Sequence, residues 1–191
     1  MNYEKALQVL KCGGTIVFPC DTVMGIGASM NQAAAIEKLY KIKRRSKSQA
    51  TAILVSDISM AKSLMAKKPD EFLIGVMRKH WPGALTIVIE ASEIVPREIL
   101  GGTEYVGIRM PDFPKLQKLI KELGCPLVAT SANFKDEKNP IKFSEVSKEF
   151  LSLVDYSIPE DSTGTLASTV IKYFGGGKVE YLRKGNVEID N

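Results

Sequence analysis

Short apolar runs bounded by turn residues alternate with amphipathic stretches along this chain. Residues 3–11 predict a helix, with Asn2 as a candidate cap and Gly13 beyond its end. Residues 15–18 and 24–28 predict strands. Asn31 is placed to cap a helix reaching about residue 43, with Ile36, Leu39 and Tyr40 on its inner face. The apolar run 52–55 reads as a strand, Asp57 as the cap of a short helix through 65, and Pro69 as the opening of another to about 79. Residues 85–90 predict a strand, 96–100 a turn, 106–110 a strand, 114–123 a helix and 127–129 a strand. Ser144 is a candidate cap for a helix to about 150. Strands at 168–172 and 179–183 flank Gly175, Gly176 and Gly177 and predict a hairpin. Residues 133–142 are polar and aperiodic, which predicts a mobile loop. Alternation of this kind argues for an α/β fold, a sheet with helices on its faces. The closing hairpin makes the sheet mixed.

Composition bounds the class without choosing within it. A chain of 191 residues is long enough for one domain with its own core, so residues 1–191 are read as a single domain. Hydrophobic and charged fractions of 45% and 25% are those of a soluble globular protein. The cysteines, Cys12, Cys20 and Cys125, are odd in number and widely spaced; they suit a reducing cytosol and form neither a disulfide frame nor a zinc pattern. One histidine, His80, excludes a histidine-rich metal site, and no metal ligands are assigned. The N-terminus lacks an apolar signal core and no apolar run could span a bilayer, so the expectation is a cytoplasmic protein without a membrane partner. A net charge of +4 favours anionic ligands.

Candidate chemistry sits where strands end. GGTIVFPCDTVMGIG at 13–27 runs a strand into a proline turn, then Asp21, Thr22, Gly25 and Gly27. Small polar residues and glycines there leave backbone N–H groups and hydroxyls open to a ligand, although a plain strand–turn–strand has the same pattern. VGIRMPDFP at 106–114 ends a strand on Arg109, a planar fork for a carboxylate or phosphate, or else a surface ion pair. PLVATSANF at 126–134 follows a strand with Thr130, Ser131 and Asn133, which suit phosphate or a cap. The densest charge cluster is Lys38, Lys41, Lys43, Arg44, Arg45 and Lys47; Lys38 and Lys47 read as a solvated helix end. GxxxxGK[ST] is absent, so any ATP would be bound without a Walker loop.

Taken in order, these segments resemble the YrdC/TsaC family, the threonylcarbamoyl-AMP synthases, along nearly the whole chain. The matching parts are PCDTVMGIG at 19–27, KIKRRSK at 41–47, WPGALTIVI at 81–89, VGIRMP at 106–111, TSAN at 130–133, STVI at 168–171 and LRKG at 182–185. The family usually has Thr-Glu at Cys20-Asp21 and Arg-Pro at Arg45-Ser46. Asp21 keeps the carboxylate with a shorter reach, and Ser46 loosens the loop after Arg45. Leu54 stands where some members carry a histidine, and reads here as core.

The resemblance implies a twisted mixed sheet flanked by helices, with a concave basic surface, in a short form lacking a second C-terminal domain. It implies formation of threonylcarbamoyl-AMP and pyrophosphate from L-threonine, bicarbonate or CO₂ and ATP, with Mg²⁺ accompanying the ATP. Threonine would be held by Thr22, Arg109 and Ser168. ATP would be held by Lys41, Lys43, Arg45, Gln49, Tyr105, Ser131, Asn133, Asn139 and Arg183. No residue is assigned as a general base, so positioning and charge stabilisation would carry the reaction. Loop 133–142 would act as a lid that excludes water. The product would pass to downstream threonylcarbamoyl-transfer proteins that modify tRNA, and tRNA or double-stranded RNA could bind directly. A different class remains: a non-catalytic tRNA- or rRNA-binding module using the same basic surface. Carbamoyl transfer for hydrogenase maturation uses the fold in much larger chains.

Overall fold

The computed structural model describes residues 2–46 and 48–189. In chain order these form α1 (Asn2–Lys11), β1 (Thr15–Phe18), β2 (Gly25–Ser29), α2 (Ala33–Ile42), β3 (Ala52–Leu54), α3 (Ile58–Ser63), α4 (Glu71–His80), β4 (Leu85–Glu90), β5 (Tyr105–Arg109), α5 (Pro114–Leu123), β6 (Leu127–Ser131), α6 (Lys148–Leu153), β7 (Tyr156–Ser157), β8 (Thr169–Tyr173) and β9 (Val179–Arg183). The strands make one nine-stranded mixed sheet, ordered β7-β1-β2-β6-β3-β5-β4-β8-β9. Parallel pairs are β1–β7, β3–β5 and β4–β8, and the remaining neighbours are antiparallel. The α/β class and the twisted mixed sheet therefore hold.

Side chains alternate across the sheet, and the two faces are covered differently. Val17, Ile26, Ile53, Ile87, Ile108, Val128 and Ile171 enter the main core with Leu39 of α2, Leu73 and Met77 of α4, and Phe150 of α6. Their strand neighbours Ile16, Phe18, Leu54 and Leu127 face the other way, packing on Ala6 and Leu10 of α1 and Leu116, Leu119 and Ile120 of α5. That second helix layer covers only part of its face. Among the described residues, no helix covers the part over β4, β5, β8 and β9.

Several predicted boundaries moved. Gln32, not Asn31, occupies the position before α2, and it makes no side-chain cap. Ser147, not Ser144, caps α6 by accepting from Phe150 N–H, while residues 143–145 form a 3-10 turn. Strand β7 carried no sequence signal; its two residues pair with β1 beside Asp155, which accepts from Thr15 N–H at 2.8 Å and pairs with Lys38 at 2.6 Å. Lys38 is thus an ion-paired surface residue, and Lys47 lies outside the described residues.

Asp57 caps α3 as expected, accepting from Met60 N–H at 2.8 Å. Asp70 caps α4 through Leu73 N–H and also accepts from Tyr173 Oη and from Gly176 N–H. One carboxylate therefore ties a helix start to the β8–β9 hairpin. The tyrosine hydroxyl and backbone N–H bonds hold the Asp70 pKa below its usual value. Replacing Asp70 by Ala removes a cap and two hairpin bonds, and is expected to cost roughly 1–2 kcal/mol. Tyr173→Phe should cost less, and the two effects should add to more than the double variant shows, because they share one bond. Urea denaturation of the three variants checks this; strict additivity would mean that the cap and the hairpin are independent.

Candidate functional site

The uncovered part of the second sheet face forms a cavity of about 640 Å³. Its floor is built from alternate residues: Ala52 and Leu54 of β3, Thr86 and Val88 of β4, Tyr105, Gly107 and Arg109 of β5, and Val170 and Lys172 of β8. Small residues give it depth. A Cβ on Gly107 would lie 3.1 Å from Thr86 Cγ2, and one on Gly25 would lie 2.6 Å from the Phe18 ring.

Arg109 lies at one end of this floor, and its guanidinium is tied on three sides. Nε donates to Gly83 O at 3.0 Å, Nη1 to Thr22 Oγ1 at 2.8 Å, and Nη2 to Asp21 Oδ1. The Arg109 and Asp21 side chains are only 7% and 9% exposed, so this is a buried ion pair. The fork that the sequence offered to a ligand is thus already shared with Asp21. Each Nη carries two hydrogens and these bonds use one apiece, so both retain capacity for a ligand carboxylate. Asp21 was legible only as an acid in the turn; its role as the counter-charge of Arg109 was not.

The turn that carries Asp21 and Thr22 is strapped from outside. Cys20 N–H donates to Ser162 Oγ at 2.9 Å, and Thr163 N–H to Cys20 O at 3.0 Å. Gly164 lies so close that a Cβ would come within 2.3 Å of Asp21 O. Burial pushes the Cys20 thiol up to about 12, so it is a neutral donor to Asp21 Oδ1 and no thiolate nucleophile.

Ser168 and Arg183 meet at the same end of the floor. Arg183 Nε donates to Ser168 O at 2.9 Å and Nη2 to Ser168 Oγ at 3.1 Å, and Ser168 Oγ shares a hydrogen bond with Thr86 Oγ1 at 2.8 Å. Burial lowers the Arg183 pKa, and the charge of Arg109 adds to the shift. The glycine of LRKG has a packing reason: a Cβ on Gly185 would lie 2.7 Å from Thr169 N.

A second cavity of about 250 Å³ adjoins the first, and Arg45, Thr130, Ser131 and Asn139 line both. Arg44 has a left-handed φ of 50°, stacks on the Phe134 ring and pairs with Glu149. The chain thereby turns Arg45 towards the cavities, where Nε donates to Gln49 Oε1 at 2.9 Å and Nη2 to Ala50 O at 2.8 Å. Burial lowers the Arg45 pKa. Ser131 Oγ donates to Asn133 Oδ1 at 2.6 Å.

Two of the predicted cations sit differently from expectation. Lys41 lines neither cavity; it is exposed and pairs with Glu37 at 2.9 Å. Lys43 reaches the second cavity wall, but its ammonium is buried and donates to Ser131 O, Asn133 O and Asn133 Oδ1. It holds the β6 exit in shape from behind. Loop 133–142, expected to be mobile, is tied down: Met24 N–H donates to Pro140 O, Asn133 Nδ2 to Glu137 O, and Ile141 N–H to Glu145 Oε2. Thr22, Arg109, Ser168, Tyr105, Arg45, Ser131, Asn139 and Arg183 line the large cavity, while Gln49 and Asn133 line only the second.

Residues 8–185 match the Sua5/YciO/YrdC domain, which carries the description "Telomere recombination". The chain belongs to the Sua5/YciO/YrdC family. Within that family it is 32% identical over 170 residues to a threonylcarbamoyl-AMP synthase of Bacillus subtilis, covering 87% of this chain and 49% of that protein. It is 29% identical over 182 residues to a threonylcarbamoyl-AMP synthase of Pseudoalteromonas translucida, covering 91% and 94%. A crystal structure of P. abyssi Sua5 complexed with L-threonine superposes with a TM-score of 0.89 at 28% identity, covering 95% of this chain and 53% of that one. The chain thus spans about half of the longer Sua5/YciO/YrdC relatives and nearly all of the shorter one.

Lys43 gives the site a measurable signature. Burial lowers its pKa from 10.5 to about 8, and the nearby charge of Arg45 adds to the effect. Between those values the unfolded chain binds a proton that the folded chain has released, so folding is favoured as pH rises. Wild-type stability measured against a Lys43→Met variant is therefore expected to rise from about pH 8 to about pH 10.5, and to be flat below. Urea denaturation of both proteins across that range checks the sign; a flat difference would place the ammonium in solvent, and a falling one would mean an anionic partner had raised its pKa.

Proposed function

We propose that this chain is an L-threonylcarbamoyl-AMP synthase, joining L-threonine, bicarbonate or CO₂ and ATP with release of pyrophosphate. The observation that carries the reading is one cavity with two chemistries. A buried, aimed guanidinium lies at one end, and cations and hydroxyls suited to phosphate lie across the floor. Arg109 would bind the threonine carboxylate, with Thr22 beside it. Arg183 donates to Ser168, which leaves the serine hydroxyl placed to serve either substrate. Arg45, Ser131 and Asn139 would receive the triphosphate, whose outer phosphates fit towards the second cavity.

The amine of threonine takes up CO₂ to give a carbamate. A carbamate oxygen then attacks the α-phosphorus, the bond to the bridging oxygen breaks, and pyrophosphate leaves. Catalysis would come from holding these reactants together and from stabilising charge. Among the described residues no cluster of His, Cys, Asp or Glu could cage a metal ion. A Mg²⁺ ion accompanying ATP would then be held chiefly by the phosphates and water. No described helix is long and apolar enough to cross a membrane. The product would serve threonylcarbamoyl transfer to tRNA in the cytoplasm. A purely RNA-binding module has no use for a buried carboxylate fork, which is why the enzyme reading is preferred.

Mass detection of threonylcarbamoyl-AMP, with pyrophosphate release that requires both threonine and bicarbonate, tests the proposal. Release independent of threonine would reject it. Arg109→Ala is expected to weaken threonine binding by roughly 2–5 kcal/mol, and Arg109→Lys, which keeps the charge beside Asp21 but loses the fork, should also weaken it. Calorimetric titration of threonine checks this, and unchanged affinity removes Arg109 from the substrate site.

A further inference from the structure

At the far end of the cavity, Tyr105 has been given to the nucleotide, but its neighbours Lys172 and Glu180 have no role. Strand β5 runs from Tyr105 to Arg109, and four residues at about 3.3 Å each put this end about 13 Å along the backbone from Arg109. Lys172 of β8 and Glu180 of β9 are direct cross-strand partners there, and both line the cavity. The Lys172 ammonium lies 3.6 Å from the centre of the Tyr105 ring and 5.1 Å from that of Phe174. Among the described residues, neither Lys172 nor Glu180 is in an ion pair with another side chain. A cation resting on aromatic surface and an acid beside it, not paired with each other, offer one pure donor and one pure acceptor.

We propose that Lys172 and Glu180 read the nucleobase of the bound nucleotide, Lys172 donating to ring N7 and Glu180 accepting from the exocyclic N6–H of adenine. This rests on the synthase reading above and deepens it. The phosphate-suited residues Ser131 and Arg45 lie on the β6 and β3 side, while Lys172 lies on β8. The order β6-β3-β5-β4-β8 spans four strand spacings, about 19 Å at about 4.8 Å each, the length of an extended nucleoside triphosphate. A nucleotide with its outer phosphates at Ser131 passes its α-phosphate over β5, towards Arg109, and lays its base over β8 and β9. On that edge adenine presents an acceptor at N7 and a donor at N6, whereas guanine presents acceptors at both N7 and O6. The Glu180 carboxylate accepts only, so it rejects the second pattern. The Asp70 bonds to Tyr173 and Gly176 hold the hairpin that sets this pair.

The test is equilibrium binding of ATP, 7-deaza-ATP and inosine triphosphate to the full chain, with wild type, Lys172→Met and Glu180→Gln. Ratios between nucleotides are compared within each protein, so a partly destabilised variant remains informative. Wild type is expected to bind 7-deaza-ATP about tenfold more weakly than ATP, and Lys172→Met is expected to abolish that difference. Inosine triphosphate, with an oxygen at position 6, should bind wild type at least about tenfold more weakly than ATP. Glu180→Gln, which can donate to that oxygen, should narrow or reverse the gap. If wild type binds ATP but both variants keep its ratios, the base reading is overturned and the synthase proposal stands. If wild type binds no nucleotide, both fall together.

Discussion

A guanidinium taken out of water must be compensated on the spot, and the arrangement around Arg109 follows from that. Its side chain is nearly fully buried at the end of β5, where desolvation without partners would be prohibitive. Asp21 supplies the counter-charge, Thr22 a hydroxyl and Gly83 a carbonyl. Those partners come from the β1–β2 turn and from the segment before β4, so one side chain fixes three parts of the chain relative to one another. The residues that strap the turn, Ser162, Thr163 and Gly164, serve the same end by keeping Asp21 and Thr22 in reach. A pair of this kind adds little net stability compared with apolar packing, but it holds a charge in one orientation.

The cavity exists because the sheet is asymmetric. Both faces carry alternating residues, yet only one is packed along its whole width. On the other, α1 and α5 cover β1, β6 and part of β3, and the floor beyond is paved with Ala52, Thr86 and Gly107. Larger residues there would have filled the space that a ligand needs. The same alternation that buries Ile108 and Ile87 turns Tyr105, Arg109 and Val88 towards the cavity.

How much of this could be read from the residues differs by feature. Strand β4 and helix α5 were legible to the residue, because a β-branched run and a Pro-initiated amphipathic helix each carry a local signal. Gly124, with φ of 75°, closes α5 in the left-handed conformation. Strand β7 was not legible, since two residues acquire strand geometry only by pairing with β1. The capping positions moved between neighbouring polar residues because several could serve and tertiary packing chose. At the site, Thr22, Arg109, Ser168 and Arg183 were found from strand-end position and family likeness, and the structure brings them to one cavity. Lys43 read as a phosphate ligand because lysines in a basic cluster are normally solvated. Only the structure gives it the carbonyls of Ser131 and Asn133 as neighbours. Lys172 escaped notice since a lysine on an edge hairpin is ordinary until Tyr105 is seen beneath it.

The proposed binding of a triphosphate without a Walker loop would change how the cost of charge is met. In a phosphate-binding loop, backbone N–H groups of one short segment converge on the ligand and a helix start adds its dipole. Here the candidate donors are dispersed over the ends of several strands, and the two arginines are held by protein oxygens in the meantime: Arg45 by Gln49 and Ala50, Arg183 by Ser168. Those contacts orient the guanidiniums without neutralising them, since none of the acceptors is charged. Burial depresses the pKa of both, which means the site already bears part of the desolvation penalty before any phosphate arrives. An incoming anion therefore meets cations that are aimed and still carry full charge, Arg45 half-buried and Arg183 exposed. Arg109 differs, because Asp21 has already neutralised it. It can favour a ligand carboxylate through geometry, but it contributes little net attraction for phosphate. The difference in role between Arg109 and the other two arginines thus follows from which of them has an acid beside it.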